Sequence, residues 1–252
     1  MAGITWLYAD SDADTAAQTK TASGLSFLAG DRILVVGFAF SGGHGSTHNM
    51  GVTDNAATND PTWSTLVSSA YNTLSSTSFP TRMTMLLSSE LTADETFDIT
   101  IDWQTGSAND YYGVLGVARV TGTTGTLVRS GSDIGAYRDD DASCALGGAA
   151  TSGNLVVMAV GHGGPAPYTY DTPPANFAQI SGSTSTTTGN AGMSAISSTT
   201  TTASSVAWGY EAATNDAEFM CACAIELEAS GGGGGTKAPP SRRRRIPHLI
   251  GR

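Results

Sequence analysis

Phe97-Asp98-Ile99-Thr100-Ile101-Asp102-Trp103 sends four large apolar side chains to one side of an extended chain and two Asp and one Thr to the other. Strict alternation of this kind marks a half-buried antiparallel strand, because successive side chains of a strand point to opposite faces. Met83 to Leu87, Val206 to Tyr210 and Cys221 to Leu227 read the same way. Ile33 to Phe40 and Leu155 to Val160 are nearly continuous apolar runs, the pattern of strands covered on both sides. Clusters of Gly, Asn, Asp and Pro interrupt these segments at about ten-residue spacing, which predicts an all-β sandwich or barrel.

Composition points the same way. The 252 residues include 28 Ser, 34 Thr and 31 Gly, while only 13% are charged, against about 25% in an ordinary soluble protein. A coiled coil needs charged flanking positions and is excluded. No apolar stretch approaches the roughly 18 residues of a membrane-spanning helix. A hydrophobic content of 40% supplies a core, so disorder throughout is excluded as well.

The order of features repeats along the chain. Leu34-Val-Val-Gly-Phe-Ala-Phe-Ser-Gly-Gly43 lies over Leu155-Val-Val-Met-Ala-Val-Gly-His-Gly-Gly164 without a gap. A Pro-to-aromatic step follows in each half, ending at Trp63 and Phe177. Strands led by Met83 and Met193 come next, then an alternating aromatic strand. Asn109-Asp110 and Asn215-Asp216 make the next turn, and Tyr112 to Val120 and Phe219 to Leu227 close the halves. Order kept while loops change length indicates duplication. The expected fold is therefore all-β, with two tandem or fused antiparallel β-sandwich or jelly-roll-like units at 1–122 and 123–229. Residues 230–240 read as a Gly/Pro linker and 241–252 as an extended C-terminal arm. Whether the units close separately or share one larger sandwich is open at this point.

Charge is unevenly placed. Residues 1–230 carry all 22 acidic side chains and six basic ones, a net −16, while residues 231–252 carry six basic side chains and no acid, a net +6. An acidic body is repelled by nucleic acid and by anionic membranes, so neither is an expected partner. Met1 to Trp6 lacks a basic stretch leading into an apolar one, so no signal peptide is expected. Cys144, Cys221 and Cys223 read as small buried hydrophobes, and a reducing cytoplasm as the site of synthesis.

Candidate chemistry is sparse. His44 and His48 lie in a Gly-rich loop without a third ligand at fixed spacing, and read as solvated side chains. Asp10, Asp12 and Asp14 match the first oxygen positions of a calcium loop, but Thr15 and Thr21 stand where the sharp-turn Gly and the bidentate Glu belong. Asp139-Asp140-Asp141 repel one another and are expected at the surface. No nucleophile elbow and no phosphate-binding loop is present, so no catalytic residue, metal or cofactor is expected. Trp103 and Trp208 sit in alternating runs and read as core, as does Trp63, while Trp6 is the least constrained.

The basic segment is the strongest signal. Arg242, Arg243, Arg244 and Arg245 cannot be buried unpaired, and with Arg252 they suit carboxylates or phosphates. Ile246, Leu249 and Ile250, with His248 among them, are too few for a core but enough to dock in a groove, and Pro247 favours an extended approach. Gly231 to Gly235 make the connection flexible.

Three segments carry a family resemblance: Gly30-Asp31-Arg-Ile-Leu-Val-Val36, Val52-Thr-Asp-Asn-Ala56 and Trp63-Ser-Thr-Leu-Val67. In these the chain resembles the β-sandwich structural proteins of tailed bacteriophages, over most of 25–120 and more weakly over 150–229. The second unit keeps the strand, loses the Asp and has Phe177 in place of the Trp. The resemblance implies a virion component assembled in the host cytoplasm, either a capsid decoration or cement protein or a tail-associated one. Its implied partners are major capsid or tail proteins and copies of itself. The other reading is a carbohydrate- or receptor-binding module, stacking a host surface glycan on Trp6 or on the loops around His44 and Tyr168-Thr-Tyr170.

Overall fold

Alternation becomes strand throughout the described residues, which in the computed structural model are 1–9, 19–41, 50–69, 81–103, 111–134, 141–163, 168–185, 191–212 and 219–231. They form sixteen strands and, among the described residues, no helix. The first eight are β1 (Gly3–Ala9), β2 (Thr19–Phe27), β3 (Arg32–Ser41), β4 (Gly51–Asp54), β5 (Trp63–Ser68), β6 (Thr81–Ser88), β7 (Glu95–Asp102) and β8 (Tyr111–Thr121). The second eight are β9 (Thr123–Ile134), β10 (Asp141–Ala145), β11 (Leu155–Gly163), β12 (Tyr168–Tyr170), β13 (Ala178–Gln179), β14 (Ala191–Ser198), β15 (Ser205–Ala212) and β16 (Phe219–Ala229).

Every pairing is antiparallel, and the pairings of β9–β16 repeat those of β1–β8 strand for strand. The first major sheet runs β1-β8-β3-β6-β5 and its minor sheet β2-β7-β4. The second major sheet runs β9-β16-β11-β14-β13 and its minor sheet β10-β15-β12. The ladders also fix which residues correspond. Leu34 stands opposite Leu87 and Ala118, whereas Val157 stands opposite Ser197 and Ile225. Val157, two residues beyond the Leu155 that sequence matching selects, is therefore the structural equivalent of Leu34. A slip of two leaves every side chain on its own face, so the apolar pattern is blind to it.

Three cores separate four layers. Ile33, Val35 and Val117 of the first major sheet meet Phe27, Phe97, Ile99, Ile101 and Trp103. Val156, Met158 and Ala224 of the second major sheet meet Cys144, Val206, Trp208 and Tyr210. The third core lies between the two major sheets, where Leu34, Phe38, Met83 and Met85 face Val157, Met193, Cys223 and Ile225. The units thus close separately and also share a core. Met83 to Leu87 and Cys221 to Leu227 are accordingly buried on both faces. The half-buried state expected of them fails because a second sheet covers the side that Ala, Thr and Glu226 were expected to expose to water.

Hydroxyl groups complete the sheets where strands are short. β13 pairs with only two residues of β14. Beyond it, Ser183 Oγ accepts the Ala195 N–H (3.0 Å) and donates to the Ala195 carbonyl (3.1 Å). Ser185 Oγ accepts the Met193 N–H (2.9 Å), and the Ser185 N–H donates to the Met193 carbonyl (3.0 Å). Ser69 treats Met83 in the same manner in the first unit. An unmet buried N–H costs about 1–3 kcal/mol, so Ser183→Ala and Ser185→Ala should each lower unfolding free energy by about that amount. Ser181→Ala, at an exposed position, should not, and equal urea midpoints for all three variants would refute the assignment.

Candidate functional site

Antiparallel pairing sorts the connections into two poles. Ala9, Ser41, Ser68 and Asp102 end odd-numbered strands at one pole, where even-numbered strands start. In the second unit Ile134, Gly163 and Ala212 end strands at the same pole. The Cys221 Sγ–Thr81 Oγ1 contact (3.0 Å) fixes the two units in that shared sense. Segments 10–18, 42–49, 70–80, 104–110, 135–140, 164–167, 186–190 and 213–218 join strand ends there. They hold eight of the 22 acidic side chains and one basic one, Arg138.

The basic segment departs from the other pole. The Ser230 N–H donates to the Gly122 carbonyl (2.9 Å), at the turn joining β8 to β9. Gly122 has φ 63°, and a Cβ there would strike the Met1 carbonyl, so the turn needs a glycine. The Ala229 N–H donates to Asn154 Oδ1 (3.0 Å), and Thr124 Oγ1 donates to Glu228 (2.9 Å). A cleft of about 370 Å³ opens beside the exit, lined by Met1, Ala2, Gly153, Thr200, Ser230 and Gly231 among others.

Beneath this exit lies a buried ionic network. Glu226 is fully buried in β16 and its carboxylate accepts from Thr151 N–H (2.9 Å), Asn154 Nδ2 (2.7 Å) and Arg129 Nη1 (2.6 Å). Burial alone would push its carboxyl up; the three donors and the Arg129 charge outweigh that and hold it below the usual range. Asn154 links Glu226 to Ala229, and so the ion pair to the last residues of β16. Glu95 has a comparable role in the first unit, where the N–H groups of Ala57, Thr58 and Asn59 all point at it (2.6–3.0 Å). Those bonds lower its carboxyl against the opposing pull of desolvation. Glu226, fully buried, has no free face for acid–base chemistry on a substrate.

At the loop pole of the second unit, His162 is buried on β11 with Nε2 3.0 Å from Tyr170 Oη and its ring 4.6 Å from that of Tyr210. Burial drives its pKa from 6.5 to about 3, which keeps the imidazole neutral.

Of the residues singled out by sequence, Arg242–Arg245, Ile246, His248, Leu249, Ile250 and Arg252 lie outside the described residues, as do Asp10, Asp12, Asp14, His44, His48, Asp139 and Asp140. Asp141 opens β10 and is exposed. Trp103 and Trp208 are core, and Trp63 is half-buried with Nε1 donating to Asp54 (2.9 Å). Trp6 overturns its reading as a free platform: it is 7% exposed, in the central core against Gly116. Tyr170 is half-buried and stacks on Trp208 with ring centroids 5.5 Å apart. All three thiols are buried, and desolvation raises the pKa of Cys144 to about 12 and of Cys221 to about 11. Among the described residues no group of three His, Cys, Asp or Glu could hold a metal ion. Glu226–Arg129 and His162 escaped the sequence reading because a lone charge or imidazole in an apolar strand gives no periodic signal. No family model, no curated protein and no solved structure matches the chain.

Proposed function

We propose that the protein is a non-enzymatic structural component of a phage particle, an exterior capsid decoration or cement protein or a tail-associated one, tethered through residues 241–252. The opposition of the poles is the observation that carries this reading. The segment bearing +6 follows Gly231 in sequence, at one pole, while the segments holding eight acidic side chains link strand ends at the other. A tether at one end leaves the other end free to project from a surface. The bonding around Ser230, Ala229 and Glu226 supports an anchoring role for that exit. The phage assignment itself rests on the resemblance of residues 30–36, 52–56 and 63–67, and burial of Trp6 removes one support of the glycan-binding alternative.

Removal of 232–252 should leave the melting temperature of the body within about 2 °C, because no described core residue is lost. The truncated chain should fail to join particles in density-gradient sedimentation. Attachment of the full chain should also weaken as salt rises from 50 to 500 mM, since about four exposed charge pairs are screened over that range. Normal incorporation of the truncated chain would remove the tether from the mechanism.

A further inference from the structure

The two major sheets meet with internal two-fold symmetry. β8 lies over β14, β3 over β11, β6 over β16 and β5 over β9. In the strand equivalences given by the sheets, β14 corresponds to β6, β11 to β3 and β16 to β8, so the three central contacts map onto one another; the mate of β5 over β9 would be the two-residue β13 over β1, and there the symmetry is not kept. Each unit therefore offers the same face to the other, the arrangement of an isologous dimer, with the axis passing between β3 and β11. Some Cα atoms across this face lie within 8 Å of each other. The small residues Gly116, Ala118, Gly161, Ala159, Cys221 and Cys223 permit that approach.

At the axis the symmetry breaks. Phe38 pairs with Met83 and Val114, and Gly161 with Met193 and Cys221, so the two are equivalent positions. They also face each other: a Cβ on Gly161 would run into the Phe38 ring, and would lie 2.9 Å from Met83 Cε. We propose that this face is a protomer-type association surface, built to bury one eight-strand unit against another of its kind. Its occupant is the complementary half of the same chain, and Phe38 seated on Gly161 selects that half over a like one. Two like first units would set Phe38 against Phe38 where there is room for one ring, and two like second units would leave a void at Gly161.

Two measurements on the full chain test this. In the first, a protease site is placed at the Gly122 turn and the folded protein is cut there. The nicked protein should run as one species holding both fragments and separate only in denaturant. Fragments that part under native conditions would overturn the proposal. In the second, Phe38→Gly and Gly161→Phe are made singly and together. Each alone should lower the melting temperature by about 10 °C, and the swapped pair should recover to within about 5 °C of the parent. Should Gly161→Phe fail to fold, Gly161→Ala with and without Phe38→Leu poses the same question at smaller amplitude. Losses that simply add in the double variants would refute selection by knob and hole.

Discussion

Arg129→Ala should destabilise the protein by about 3–5 kcal/mol at neutral pH, one of the larger losses available from a single partly exposed side chain. The cost lies in what remains: Glu226 is fully buried, and Arg129 Nη1, 2.6 Å away, is the one cation paired with it among the described residues. Without the guanidinium the carboxylate has two neutral donors, Thr151 N–H and Asn154 Nδ2. Glu226→Gln in the same background should restore much of the loss, because an amide oxygen still accepts from one of them and carries no charge. The pH dependence has a definite sign. The folded pKa of Glu226 lies below its ordinary 4.5, so its stabilisation is present above that value and disappears as pH falls through the folded one. Arg129→Ala raises that folded pKa, and the variant should approach the parent below pH 4.5 in urea titrations. A loss under 1 kcal/mol at pH 7 would show that water reaches Glu226.

The second large effect belongs to His162. Its folded pKa is depressed from 6.5 to about 3, so between those values the unfolded chain binds a proton that the native state refuses. Stability therefore rises with pH across the window and falls on acidification. By pH 4.5 the loss should reach about 2–3 kcal/mol, at 1.36 kcal/mol per pH unit. Tyr170 and Tyr210 pack on the ring. The lowered carboxylates of Glu226 and Glu95 act below 4.5, leaving the upper part of the window to His162. His162→Gln can still bond Tyr170 Oη and does not titrate, so its profile from pH 6.5 to 4.5 should be flat. Parallel profiles for parent and variant would assign the acid sensitivity elsewhere.

Much of the fold was legible in single strands. Phe97, Ile99, Ile101 and Trp103 alternate with Asp98, Thr100 and Asp102, and the structure buries the first set in one core. The doubly covered runs at Ile33 and Leu155 were equally plain, because a strand between two sheets must be apolar on both faces. Their partner layers were not, since alternation records that a face is covered and not by what. The same blindness explains the two-residue slip between Leu155 and Val157. Ser183 and Ser185 were hidden for another reason: in a chain with 28 Ser, a hydroxyl that stands in for a strand looks like any loop serine. The exit at Gly231 emerges only from topology, which places the end of β16 beside Gly122.

β16 also decides how the body would bear a load. It sits between β11 and β9, hydrogen-bonded along both edges. Tension arriving through residues 232–252 would run along that strand, so its cross-strand bonds would have to shear together rather than unzip one at a time. The Glu226–Arg129 clasp lies near the point of entry and would resist first. A fold suspended by a middle strand, rather than by a hairpin at its rim, is arranged to yield late under mechanical stress.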